Sequence, residues 1–376
     1  MKIEKIEVYV IGPEDIHYTW SHDIPPIYQT NTIIRIHTDS EIIGESAVWN
    51  ATNFSYDKYT AESLTHLLPM LIGKNPLDKN QILYDLRPRV FPQPPGALAV
   101  IDNSLWDIKG KIENKPIYQL LGERKNKIKS YASTVMYDTI DDYIKIIEEK
   151  QKDGFSAIKF HTWCIPKKDL ELAKEARKCF PKMSFMLDAE NNYDLENSLY
   201  VARELEKLDF TWFEAPMPDY EFNNYKKLNQ NVDIKIIPSG NWVVDLERFN
   251  DAIDQKIWKA TRTDMAMMGG ITNCKKAIEL SEKENLDCEI MSWGYTLVSV
   301  ANLHLMLSST NCSYYEQPLP YDQFEFGMKD VLRTKSDGYI YPPKKPGLGV
   351  EINWDIMKSR IIHSFCCDKN KKIIKL

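Results

Sequence analysis

The sequence predicts an α/β fold, a (β/α)8-type TIM barrel preceded by an α+β N-terminal capping domain. Two observations carry this. Eight short β-prone runs start 24 to 29 residues apart: IKSYAST (128–134), AIKFHTW (157–163), SFMLDAE (184–190), TWFEAP (211–216), KIIPSG (235–240), KATRTD (259–264), DCEIMSW (287–293) and CSYYEQ (312–317). That spacing is the length of one strand, one helix and two loops. The segments between the runs carry helical periodicity: Leu195, Leu199, Ala202, Leu205 and Leu208 recur three or four apart, as do Leu246, Phe249 and Ile253. A doubly wound open sheet is the competing architecture, but it uses fewer units and a glycine-rich first turn. No GxGxxG follows any run, and Gly269-Gly270 reads as a tight turn opening a helix.

In chain order, residues 1–125 form the capping domain. Ile6, Val8 and Val10 alternate as a strand within 2–10, and a second alternating stretch spans 31–47. A loop around Asn53-Phe54-Ser55 and helical stretches near 58–72 and 96–121 follow. Residues 126–330 form the barrel. In the C-terminal segment, 331–376, DGYIYPPKKPGLGVEI (337–352) has neither period, and its Pro and Gly content suggests a loop wrapping back onto the capping domain. No Pro/Ser linker separates the domains, so they are expected to pack closely.

Hydrophobic residues make up 43% of the 376 and charged residues 27%, enough for a large core and incompatible with disorder. A net charge of −6 lacks the basic footprint of a nucleic-acid binder. No apolar run is long enough for a membrane-spanning helix, and no signal-peptide block follows the first strand, so the expected compartment is the cytoplasm. Seven scattered cysteines without CxxC spacing argue against a disulfide framework or zinc site; adjacent Cys366 and Cys367 are expected to be unpaired.

A barrel's active site lies at the C-terminal ends of its strands. The residues there are Lys159 and His161, Asp188 and Glu190, Glu214, Ser239 and Asn241, Asp264, Met291 and Ser292, and Glu316. So many carboxylates at one mouth repel one another unless a cation lies between them. Oxygen ligands without a His or Cys cluster select a hard ion, Mg²⁺. His304, in VSVANLHLML, reads as a satisfied core histidine, and Met265, Met267 and Met268 as barrel filling.

The ordered set of these pieces resembles the mandelate racemase/muconate lactonizing branch of the enolase superfamily over nearly the whole chain. SLWDIKGKIENKPIYQLLG (104–122) resembles the family's junction of cap and barrel, and GFSAIKFH (154–161) its second-strand K-x-K motif. LDAEN (187–191) and WFEAP (212–216) are similar to its first two metal-ligand strands, MMGGIT (267–272) to its sixth-strand turn and PGLGVEI (346–352) to its closing motif. The resemblance implies α-proton abstraction from a carboxylate, with Asp188, Glu214 and, in place of the usual Glu, Asn241 as Mg²⁺ ligands. Counting by strand spacing points to Gly240 instead of Asn241, which leaves that position open. Glu190 is either a further ligand or an acid/base group on the face of Asp188.

His161 takes the position of the second Lys and is the implied base, with Lys159 tuning it; a cation two residues away should lower the imidazole's pKa. Asp264 keeps the family's sixth-strand Asp, for catalysis or a structural or substrate hydrogen bond, but its seventh-strand His partner is replaced by Met291. Glu316 matches a family position near the substrate carboxylate, and Ser292 is expected among the substrate-binding residues. The resemblance places His17, Tyr18 and Trp20 in the loop that in this family covers the substrate. The implied function is dehydration of a sugar acid to a 2-keto-3-deoxy acid. The alternatives are a racemase, epimerase or cycloisomerase of the same superfamily, or a sugar-acid binder that has lost catalysis. The implied partners are a small carboxylate substrate and further copies of the chain in a homo-oligomer, with no nucleic acid or membrane.

Overall fold

The computed structural model describes residues 1–12, 18–24, 30–49, 55–90 and 95–376. Five antiparallel strands form the cap sheet: β1 (Ile3–Ile11), β2 (Asn31–Thr38), β3 (Ile43–Val48), and, from the far end of the chain, β13 (Ile361–Cys367) and β14 (Ile373–Lys375), in the order β14-β13-β1-β2-β3. The alternating stretch 31–47 is thus a hairpin. Besides Ser55–Leu64 and Pro95–Glu113, the cap contains a helix at Lys79–Val90 that buries Ile82 and Leu86.

The eight runs become parallel strands: β4 (Ile128–Ser133), β5 (Ala157–His161), β6 (Ser184–Asp188), β7 (Trp212–Glu214), β8 (Lys235–Ile237), β9 (Thr261–Thr263), β10 (Cys288–Ile290) and β11 (Tyr314–Pro318). One ladder runs β11-β4-β5-β6-β7-β8, and β9 pairs with β10. A short strand β12 (Tyr339–Ile340) adds antiparallel to β4. Each strand is followed by a helix. Three of these helices start where a side chain accepts a backbone N–H of the first turn: Thr139 from Asp142, Asp194 from Asn197 and Asp245 from Arg248.

The helix Ile271–Lys283 has Gly270 at its start and so no cap of its own; the other domain supplies one. From the cap helix Pro95–Glu113, Asp102 accepts from the Thr272 N–H at 2.7 Å and Asn103 from the Ile271 N–H at 3.0 Å. A Cβ at Gly270 would lie 2.4 Å from the Asp102 carboxylate, and φ there is +122°, so this close docking requires glycine. The closing motif docks on the same helix, where the Leu348 N–H donates to Asp107 at 2.8 Å. His304 is buried beneath it. Its Nδ1 accepts from the Tyr118 N–H at 3.1 Å and its Nε2 donates to the Leu348 carbonyl at 3.0 Å, as expected of a satisfied core histidine.

The barrel's lower interior is an apolar layer of Tyr131, Ala157, Met186, Trp212, Ile237 and Ala260. Met265, Met267 and Met268 are buried, and all seven cysteines are free thiols. Among the described residues no helix is long and apolar enough to cross a membrane.

Candidate active site

Strand register brings the site together. His161 pairs with Asp188, and Asp188 with Glu214, across adjacent strands. Side chains two apart on a strand share a face, so Lys159 and His161 both point into the barrel while Phe160 packs outward on Phe185 and Tyr143. The resulting pocket is lined by Lys159, His161, Asp188, Glu190, Glu214, Ser239, Asn241, Arg262, Met291 and Glu316, and is roofed by Trp20, Trp49 and Trp293.

Its floor is a closed ring of alternating charge. The Lys159 ammonium lies 2.9 Å from Glu214 and 2.9 Å from Glu316, and Arg262 lies 2.8 Å from Glu214 and 2.9 Å from Glu316. These four come from alternate strands, the second, fourth, sixth and eighth of the barrel, the arrangement that normally stacks branched aliphatic side chains. All are buried. Burial opposes the charged form of Lys159, but Glu214 and Glu316 outweigh it and hold the ammonium well above its ordinary pKa. Ser133 and the Ser292 N–H complete the shell of Glu316, at 2.9 and 3.2 Å. Sequence reasoning missed Arg262. Its signal was the alternation Ala260, Arg262, Asp264, which puts an arginine on the inward face of a strand.

Toward the strand ends lies a second group. His161 Nε2 is 3.1 Å from Asp188 and 3.2 Å from Glu190, and its Nδ1 faces the Thr134 carbonyl, which fixes the proton on Nδ1. Glu190 is not on the strand: β6 ends at Asp188, and Glu190 sits in a left-handed turn, φ +48°, that swings its carboxylate back over the pocket. The His161 pKa moves opposite to the expectation. Burial lowers it, but Asp188 and Glu190 overcome both burial and Lys159, raising the imidazole to about 9.

Donor atoms of His161, Asp188 and Glu190 all lie within 4.8 Å of one another, close enough to hold a metal ion together. Glu214 is pushed above the ordinary carboxylate range by burial and by Asp188 beside it, against Arg262 and Lys159. Across the pocket, Asn241, not Gly240, lines the wall, and its Oδ1 is buried without a hydrogen-bond partner among the described residues.

Other candidates fall outside the pocket lining. Asp264 turns its carboxylate to the Met267 N–H at 2.7 Å, capping the turn after β9. Ser292 reaches the site through its backbone alone. Tyr18 stands behind the roof, with ring centroids 5.4 Å from Trp20 and 6.4 Å from Trp293. His17 lies outside the described residues. Met291 lines the wall where a second proton carrier would be needed, and Trp293 meets His161 edge-on at 5.5 Å.

Comparison with known proteins agrees with this architecture. Residues 27–122 match the mandelate racemase/muconate lactonizing enzyme N-terminal domain, and residues 142–356 match the enolase C-terminal domain-like family. D-galactonate dehydratase of Pectobacterium atrosepticum is 28% identical over 96% of this chain and 94% of its own. N-succinyl-L-Arg/Lys racemase of Bacillus cereus is 26% identical over 95% of this chain and 97% of its own. Among solved structures, a Pseudovibrio sp. protein described as a mandelate racemase/muconate lactonizing enzyme superposes with TM-score 0.93 at 36% identity, covering 97% of this chain and 98% of that one. D-glucarate dehydratase of Agrobacterium tumefaciens, complexed with magnesium, gives TM-score 0.81 at 25% identity, covering 96% and 99%. The chain belongs to the mandelate racemase/muconate lactonizing enzyme family of the enolase superfamily.

Proposed function

We propose that the protein is a Mg²⁺-dependent dehydratase that converts a sugar acid to a 2-keto-3-deoxy acid. The observation that carries this reading is the one-sidedness of the proton carriers among the described residues. Lys159, Arg262 and Glu316 are committed to the floor ring, and Asp264 caps a turn. His161 and Glu190 remain, in contact with each other on one side, facing Met291 across the pocket. Racemisation by two opposed groups needs a proton carrier on each face; an elimination needs one base and one acid, which this pair supplies.

The residues present fit the ion. Four carboxylates line the pocket against two fixed cations, and the orphaned Asn241 Oδ1 is an acceptor without a donor. Asp188, Glu214 and Asn241 would hold Mg²⁺. When bound, it supplies positive charge that competes for Asp188, relieving the attraction that holds the His161 proton, and stabilises charge developing on the substrate carboxylate.

His161, with Nδ1–H anchored on Thr134, takes the α-proton at Nε2. The C–H electron pair forms the Cα–Cβ double bond as the Cβ–O bond breaks. Glu190, having first taken the His161 Nε2 proton across their contact, protonates the departing hydroxide to water. The enol then tautomerises to the ketone, and the proton on His161 passes to Glu190 across their 3.2 Å contact, resetting the pair. The test is a mass-spectrometric screen of sugar acids in D₂O with Mg²⁺ or EDTA. Mg²⁺-dependent loss of water from one acid is the expected result. Deuterium gain without water loss would replace dehydration by racemisation or epimerisation.

A further inference from the structure

The amide at position 241 is a weak substitute for a carboxylate ligand, because it brings no charge. Its usefulness to a cation depends on how firmly it is aimed, and one buried residue stands behind the turn that carries it. Asp219, in the loop after β7, is fully buried, and its carboxylate is surrounded by donors from the turn after β8. The Ser239 N–H donates to one oxygen at 2.8 Å. The Ser239 hydroxyl and the Gly240 N–H donate to the other at 2.8 and 3.0 Å. The Ser239 hydroxyl in turn accepts from the Asn241 N–H at 3.1 Å, so the chain of hydrogen bonds ends on the residue whose Oδ1 is left unpartnered in the pocket wall. Backbone N–H groups converging on a carboxylate in this way form a concave nest. Gly240 permits it: φ is +81°, and a Cβ there would press on the Arg262 carbonyl at 3.0 Å.

We propose that Asp219 is a positioning residue for the divalent-cation site, acting through the 239–241 turn to hold the Asn241 amide oxygen toward Asp188 and Glu214. This rests on the cation site proposed above. Asp219 touches neither the cation nor the substrate. It fixes the turn from the opposite side, as groups behind a metal's direct ligands do, where mutation costs about 10- to 100-fold in affinity.

The experiment measures Mn²⁺ binding to the full chain by water-proton relaxation, which needs no substrate and no turnover. Asp219→Asn, which replaces an acceptor by an amide donor in the nest, is expected to weaken Mn²⁺ about 10- to 100-fold. Ser239→Ala is expected to weaken it less, and serves if Asp219→Asn does not fold by circular dichroism. The double variant Asp219→Asn/Asn241→Ala is expected to bind no more weakly than Asn241→Ala alone, because both changes remove the same ligand; a general loosening of the fold would add to the loss instead. Wild-type affinity in Asp219→Asn, or additive losses in the double variant, overturns the proposal. Absence of Mn²⁺ binding by the wild-type chain removes the cation site itself, and is distinguishable because Asn241→Ala then changes nothing.

Discussion

The floor ring and the group above it contain similar charged side chains in opposite states of balance. In the floor, Lys159, Glu214, Arg262 and Glu316 alternate in sign, and each carboxylate touches both cations. Above it, Asp188 and Glu190 converge on His161 and the Asn241 amide oxygen has no donor. A ring of alternating buried charges gives geometry and uses most of its field internally, with Lys159 reaching beyond it to Asp188 at 3.0 Å. An open set of acceptors asks for a cation or a proton from outside. The difference separates most of what holds the site from what acts in it; Glu214, a ring member that is also a proposed cation ligand, belongs to both.

The largest expected effect comes from opening the ring. Arg262→Leu leaves Glu214 and Glu316 buried with a single cation between them, and stability to urea should fall by about 3–5 kcal/mol. The double variant Arg262→Leu/Glu316→Leu should recover part of that loss, because an apolar pair in place of a buried ion pair is often neutral. In the open group the consequence is reversed. Glu190→Gln should leave the urea midpoint close to wild type while lowering kcat about 10²- to 10⁴-fold. Equal effects of the two substitutions on stability would erase the distinction.

Two buried histidines sharpen it. His161 faces carboxylates and is raised to about 9; His304 lies between an amide N–H and a carbonyl and is pushed down to about 4, chiefly by burial. The unfolded chain protonates His304 near 6.5, above the folded value. Its contribution to stability is therefore full above pH 6.5 and is lost as pH falls toward 4, by about 3 kcal/mol in all. Denaturant titrations between pH 4 and 7 should show this slope, and His304→Gln should flatten it. The smallest effect is at the domain seam, where Asp102→Ala should cost about 1–2 kcal/mol through the lost helix cap, read as a lower thermal midpoint.

The strand spacing made the barrel legible, and the strand-end rule led to Lys159, His161, Asp188, Glu214 and Asn241, all of which line the pocket. Inward alternation was enough for these, since it depends only on sequence position. What escaped depends on partners distant in sequence. Arg262 is intelligible only beside Glu214 and Glu316, and Asp219 only beside the turn at Ser239. The His161 shift was misjudged because Lys159 is near in sequence, whereas Asp188, the stronger influence, meets the imidazole only through strand register and Glu190 only through a left-handed turn. For Asp264 strand position left catalysis and a structural hydrogen bond both open, and its carboxylate takes the second, accepting a backbone N–H.

The most direct test is an anomalous-scattering map from crystals of the protein grown with Mn²⁺. The account predicts one ion bound by Asp188, Glu214 and Asn241, with the floor ring intact and His161 Nε2 free to take a proton. An ion bound by His161 Nε2 together with Asp188 and Glu190 would contradict it, because the base and the acid would then be ligands.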